Sequence, residues 1–223
     1  LPTPIQKSKK PDLKYLKNAC IQIGKIIDRD DLIIFESTVY PGLTEEFCAP
    51  LLEKYSDKKL NIDFSIGYSP ERINPGDKEN NLKNITKIIS ASNNNALKIM
   101  KDIYSATCDN LHIAENIKIA EGAKIIENIQ RDINIALVNE LSISFDKLNI
   151  DFNKVLDAAN TKWNFQNYKP GLVGGHCIGI DPYYLAYKLD QRKYRTKLIL
   201  AGREINDSYS KFISKKIYIN SPF

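Results

Sequence analysis

The chain has 223 residues, of which 43% are hydrophobic and 26% charged, with a net charge of +5. This is an ordinary globular composition with enough apolar residues for a sizeable core. No apolar run approaches the ~20 residues needed to span a bilayer, and the positive charge is too diffuse to argue for nucleic acid.

In chain order, Leu13, Leu16, Cys20, Ile23 and Ile27 recur at helical spacing after Pro11-Asp12. Leu32 to Glu36 is a short apolar run typical of a buried strand. Pro41-Gly42 breaks the chain, and Thr44-Glu45-Glu46 opens a helix to about Tyr55, with acids in its first turn. Strands are predicted over Asp63–Tyr68, Thr86–Ser90 and Leu111–Ala114, with a helix from Asn94 to Tyr104. This alternation predicts an α/β unit: a Rossmann-like parallel sheet covered by helices. From Ile117 to Leu148 there is no Pro and one Gly, so a single long helix is expected. Shorter helices are predicted over 152–159 and 183–189, and another over 197–218. Two domains follow, 1–115 with the partial sheet and 116–223 mostly helical.

Four cysteines are scattered, with no C-x-x-C pair. That argues against a zinc site and points to a reduced, cytoplasmic protein with no bound metal. Cys177 stands out. It lies in Gly171-Leu172-Val173-Gly174-Gly175-His176-Cys177-Ile178-Gly179-Ile180-Asp181-Pro182, where glycines allow close approach and a carboxylate follows four residues on. A thiolate there is a strong nucleophile; the plain alternative is a small cysteine packed in a tight turn. A Cys–His dyad with His176 is disfavoured because neighbours on an extended segment point apart.

Ser37-Thr38 stands at the carboxyl end of the first strand, and Ser69-Pro70-Glu71-Arg72 follows the second in the same way. That edge is where open α/β sheets bind ligands. The alternatives are simple turn chemistry and a solvated Glu71 paired with Arg72. Lys124 and Asn128 are four residues apart and share a helix face with Glu121 and Arg131 nearby, a donor pair suited to a developing oxyanion or an exposed polar stripe.

Taken together, these segments resemble the UDP-glucose/GDP-mannose dehydrogenase family. The resemblance is strongest to bacterial UDP-N-acetylhexosamine 6-dehydrogenases. It rests on Pro2-Thr3-Pro4-Ile5, Glu36 to Gly42, Tyr68 to Asp77, Ala120 to Lys124 with Glu127-Asn128 and Arg131, Asn139-Glu140-Leu141, Thr161-Lys162-Trp163-Asn164-Phe165 and Gly171 to Tyr184. Any one of these is weak, whereas the ordered set is specific. The resemblance implies NAD as cofactor and a four-electron oxidation of a nucleotide sugar at C6. UDP-GalNAc or UDP-GlcNAc is the preferred substrate, with UDP-glucose or UDP-ManNAc as alternatives, and surface polysaccharide synthesis is the setting. By resemblance, Cys177 forms a thiohemiacetal and then a thioester. Lys124 and Asn128 stabilise the oxyanion, Asp181 and Thr38 hold or activate water, and Glu71 handles protons. Thr3, Ser37 and Thr38 match cofactor-binding positions. Glu71, Arg72, Lys124, Asn128 and Gly174 match positions that meet the substrate. The family's central helix implies a homodimer.

The chain contains no G-x-G-x-x-G. Its start matches a point inside the family's first domain and its end falls before a third, so a partial chain is expected. That leaves two readings, an active dehydrogenase and a remnant that folds and dimerises without redox chemistry. A thiol protease has little beyond Cys177 and His176 to support it.

Overall fold

The computed structural model describes residues 1–73, 79, 81–175 and 178–220, the side chains of 219 and 220 apart. Packing divides the chain into two compact units, Leu1–Glu127 and Asn128–Phe223. The division falls inside the long helix, so its first turns pack with the sheet.

In the first unit α1 (Lys14–Gly24) leads to β1 (Asp31–Phe35). A π-helical turn, Thr44–Cys48, runs directly into α2 (Ala49–Ser56). Then come β2 (Phe64–Tyr68), β3 (Thr86–Ala91), α3 (Asn94–Ser105), β4 (Asn110–Ile113) and α4 (Ile117–Lys147). The sheet order is β1-β2-β3-β4. β1 pairs with β2 in parallel, Asp31 opposite Phe64 and Phe35 opposite Tyr68. β3 pairs with β4 in parallel, Thr86 opposite Asn110.

The middle pair corrects the expectation of a parallel sheet: β2 and β3 run antiparallel, Gly67 opposite Ala91. The reason lies in the connections. Parallel neighbours need a crossover of a dozen or more residues, usually helical. β1 reaches β2 through the π turn and α2, and β3 reaches β4 through α3. Between β2 and β3 the described residues form no helix, and the chain doubles back.

The core of this unit joins α1 and α2 to the sheet through Leu16, Cys20, Leu52, Phe64, Ile66 and Ile89, all buried. Burying one such large side chain is worth about 1.5–3 kcal/mol. Met100 of α3 lies directly over β2: a Cβ at Gly67 would stand 2.3 Å from its Sδ, so glycine is what lets the helix sit so low. Asn93 starts α3 by accepting from the Ala96 N–H at 2.9 Å.

The second unit contains the rest of α4 with α5 (Phe152–Ala159), α6 (Asp181–Asp190) and α7 (Lys197–Asn220). Asp151 caps α5 by accepting from Asn153 N at 3.0 Å. Phe145 stacks on Phe152 with ring centroids 5.5 Å apart. α7 meets α4 closely at Gly202, where a Cβ would fall 2.7 Å from Ile133 Cδ1.

Candidate functional site

In the first unit, the carboxyl ends of β1 and β2 carry the predicted hydroxyl and carboxylate groups side by side. Strand pairing continues past the ends: Ser69 N–H donates to Phe35 O at 2.9 Å and Glu71 N–H to Glu36 O at 3.4 Å. The Tyr68 hydroxyl reaches Ser37 O at 3.2 Å. This brings Ser37-Thr38 and Ser69-Pro70-Glu71 together. Ser37 and Thr38 are half-buried, and neither hydroxyl has a hydrogen bond among the described residues. Thr3 sits half-buried in the segment that precedes α1, with no hydrogen bond to them among the described residues.

Glu71 is exposed and accepts the Ile73 N–H at 2.6 Å. It is not paired with Arg72 through its side chain. Arg72 turns away, with Nη2 2.8 Å from Glu127 and Nη1 donating to Thr86 O at 2.6 Å. One carboxylate of α4 therefore holds the loop beside Glu71.

A second α4 carboxylate holds the loop after Thr38. Glu121 is fully buried and accepts two backbone N–H groups, Gly42 at 2.5 Å and Thr44 at 2.9 Å. Gly42 takes φ +95°, a conformation glycine adopts without strain, and this aims its N–H at the carboxylate. Burial pushes the Glu121 carboxyl above its ordinary value, against the pull of the N–H donors.

Lys124 follows one turn later. It is 9% exposed, and no hydrogen bond or ion pair to another described residue satisfies its ammonium. An ammonium on a largely buried side chain, with no partner among the described residues, leaves its charge available to an anion that arrives beside it.

The sequence reading missed Lys87. It is 1% exposed, within a strand. Its ammonium lies 3.2 Å from Glu36 Oε1, donates to Pro70 O at 3.3 Å and sits 5.3 Å from the Tyr104 ring centroid. The Tyr104 hydroxyl donates to the same Glu36 oxygen at 2.7 Å. Burial, then the bond to Glu36, raises the Tyr104 pKa. One local signal was present: a lysine among Ile85, Ile88 and Ile89 in an apolar strand.

In the second unit Asn128 donates through Nδ2 to the buried Asp181 carboxylate, which occupies the first turn of α6. An acid there is favoured by the helix dipole. The segment leading to Asp181 is tied at its start as well. Asn139 makes two bonds with Gly171, donating to its O at 3.0 Å and accepting from its N at 2.8 Å. Asn139 in turn donates to Asn206, and Asn206 to Asp132. Asp132 pairs with Arg203 at 2.5 Å, Arg203 also meets Asp207, and Tyr183 donates to Asp207 at 3.0 Å. Sequence reasoning did not find this network. Gly174 is exposed, with nothing within 4 Å of where a Cβ would stand. His176 and Cys177 lie outside the described residues. Trp163 is 92% exposed. Among the described residues, no three His, Cys, Asp or Glu side chains gather as a metal site would require.

Such an arrangement defines a class: an α/β unit whose strand ends carry hydroxyl and carboxylate groups and whose last helix bears a largely buried lysine, followed by a helical unit with an Asn–Asp pair. The NAD binding domain model of the UDP-glucose/GDP-mannose dehydrogenase family matches residues 1–108, and the central domain model of that family matches residues 118–208. The chain belongs to the UDP-glucose/GDP-mannose dehydrogenase family. It is 55% identical over 218 residues to Protein CapL of Staphylococcus aureus, covering 97% of this chain and 51% of the relative. It is 50% identical to the UDP-N-acetyl-D-glucosamine 6-dehydrogenase of Pseudomonas aeruginosa, covering 97% and 52%. Among solved structures, the UDP-D-ManNAc dehydrogenase of Pyrococcus horikoshii superposes with a TM-score of 0.86 at 32% identity, covering 97% of this chain and 51% of that one. The chain thus spans about half the length of the relatives it matches.

Proposed function

We propose that this chain carries the catalytic groups of an NAD-dependent nucleotide-sugar dehydrogenase, which oxidises the C6 alcohol of UDP-GlcNAc or UDP-GalNAc to the uronate. Residues 1–115 form the cofactor half in this reading and 116–223 the central half. The observation that carries it is the largely buried Lys124, whose ammonium has no partner among the described residues, one helical turn before an Asn128 that is itself tied to Asp181. The relative named for UDP-N-acetyl-D-glucosamine supports the N-acetylhexosamine preference.

NAD, when bound, would supply the hydride acceptor, one molecule for each of the two oxidations in succession. The residues that fit it are Ser37 and Thr38, whose hydroxyls are free of hydrogen bonds among the described residues at a strand edge that suits a dinucleotide. The sequence carries no G-x-G-x-x-G to grip a pyrophosphate. Thr3 adds a third cofactor contact, and Arg72 and Gly174 face the sugar nucleotide.

The Cys177 thiolate adds to the C6 aldehyde left by the first oxidation. The new oxyanion is met by the Lys124 ammonium and the Asn128 amide, donors of the kind that stabilise tetrahedral intermediates. A second oxidation leaves a thioester. Asp181 and Thr38 hold the water that cleaves it, and Glu71 exchanges the proton, releasing the uronate and the thiolate. Glu71 is suited to this by its exposure: it can pass a proton to bulk water. The polypeptide acts as a homodimer.

The test is NADH formation from NAD with UDP-GlcNAc or UDP-GalNAc. About two NADH per uronate is expected from two hydride transfers, with no turnover by Cys177→Ser. Clean folding without NADH would favour the remnant reading, in which the chain folds and self-associates but does no redox chemistry.

A further inference from the structure

The cluster of Lys87, Glu36 and Tyr104 is not explained by the proposed chemistry. Lys87 is buried, yet its ammonium reaches the Glu36 carboxylate, the Pro70 carbonyl and the Tyr104 ring. Two of these partners have a telling address. Glu36 immediately precedes Ser37-Thr38, and Pro70 immediately precedes Glu71. One ammonium on β3 therefore bonds to the last residue before each of the two reactive loops. Tyr104, from α3, donates to the same Glu36 oxygen and fixes its rotamer.

For stability alone this is a poor device. The Lys87 ammonium gives up its hydration inside the strand while the Glu36 side chain stays 49% exposed, so the attraction is screened and the pair gains little over an apolar residue of the same volume. An apolar residue at position 87 would also suit a strand whose neighbours Ile88 and Ile89 are buried. The lysine gives what a methylene cannot: directional bonds to two loops at once. We propose that Lys87 is a positioning residue that, with Glu36 and Tyr104, sets the spacing between the Ser37-Thr38 and Glu71 segments for the reaction. This rests on the functional reading above, in which Thr38 and Glu71 act on the same thioester-cleaving water. A small error in that spacing costs rate, and a misplacement of ~1 Å can lower turnover about 100-fold.

The experiment compares wild type with Lys87→Met, which fills the same volume without charge, and Lys87→Arg, which keeps it. Thermal unfolding, steady-state kinetics and amide hydrogen exchange are measured on each. Lys87→Met is expected to melt at or above the wild-type temperature. Its amides over 36–42 and 69–73 should exchange faster, and kcat should fall by at least about ten-fold with KM for the sugar nucleotide little changed. Lys87→Arg should recover part of both. Wild-type exchange in the two segments of Lys87→Met overturns the proposal, whatever the activity. Faster exchange with unchanged kcat overturns the catalytic part and leaves only a structural tie. A wild type that makes no NADH refutes the functional reading on its own, and the exchange comparison still decides whether Lys87 holds the loops.

Discussion

Two buried charges of α4, Glu121 and Lys124, lie one turn apart and are treated very differently. Glu121 has two N–H donors, and Lys124 has no described partner. The first fits a group that holds structure, the second a group that waits for charge. Lys124→Ala should cost roughly 3 kcal/mol of transition-state stabilisation, by analogy with losing one oxyanion donor. Steady-state NADH formation checks this, and an unchanged kcat in the folded variant would remove Lys124 from the site. Glu121 makes a separate prediction about pH. Its carboxyl is raised above 4.5 by burial, so the folded protein keeps that proton to higher pH than the unfolded chain does. Over that window the folded state binds more protons, and the contribution of Glu121 to stability falls as pH rises from about 4.5 through the folded value. Glu121→Gln carries no such proton. Melting curves taken from acid to neutral pH should show a flatter decline for the variant, and parallel curves would contradict the assignment.

At the scale of elements, helices and strands were legible wherever the local pattern was sufficient. α4 announced itself by length and the absence of Pro, and β1 and β2 by apolar runs ended at Ser37 and Ser69. What local pattern cannot carry is pairing. The antiparallel β2–β3 pair depends on what the 17-residue connection does, and the π turn at Thr44–Cys48 depends on Glu121, 77 residues from Thr44 in sequence. Lys87 escaped for the same reason, since the Tyr104–Glu36 bond that completes its cluster spans 68 residues. The places of Thr38 and Glu71 just past strand ends, and of Asp181 in the first turn of α6, were legible because the end of a strand or the start of a helix has a local address; their roles belong to the proposed function. The α1–α2 contact gives a test at this scale. A Cβ at Gly24 would stand 2.8 Å from Tyr55 Cβ and 3.3 Å from Leu52 O, so the helices can pack this closely only over glycine. Gly24→Ala gains up to ~1 kcal/mol in helix propensity but overpacks at a cost of about 1–3 kcal/mol. Chemical denaturation should report a net loss; a gain would mean that α1 can move away without cost.

For the molecule as a whole, the question is what covers the outer surface of the helical unit. Leu137 and Leu141 on α4, and Leu148 just past its end, are all exposed. At ~100° per residue their spacings of four and seven place them within about 40° of one another, on one stripe. A stripe of leucines facing water is a poor surface for a monomer, and a second copy related by a two-fold axis would lay the same stripe against itself. This is the physical ground for the homodimer proposed above. Sedimentation velocity of the wild-type chain should give a dimer. Leu137→Glu with Leu141→Glu places like charges on both sides of the contact and should shift it to monomer, with the circular dichroism spectrum unchanged because both positions already face solvent. A variant that remains dimeric moves the interface off this stripe, and a wild type that sediments as a monomer leaves the leucines without a partner of their own kind.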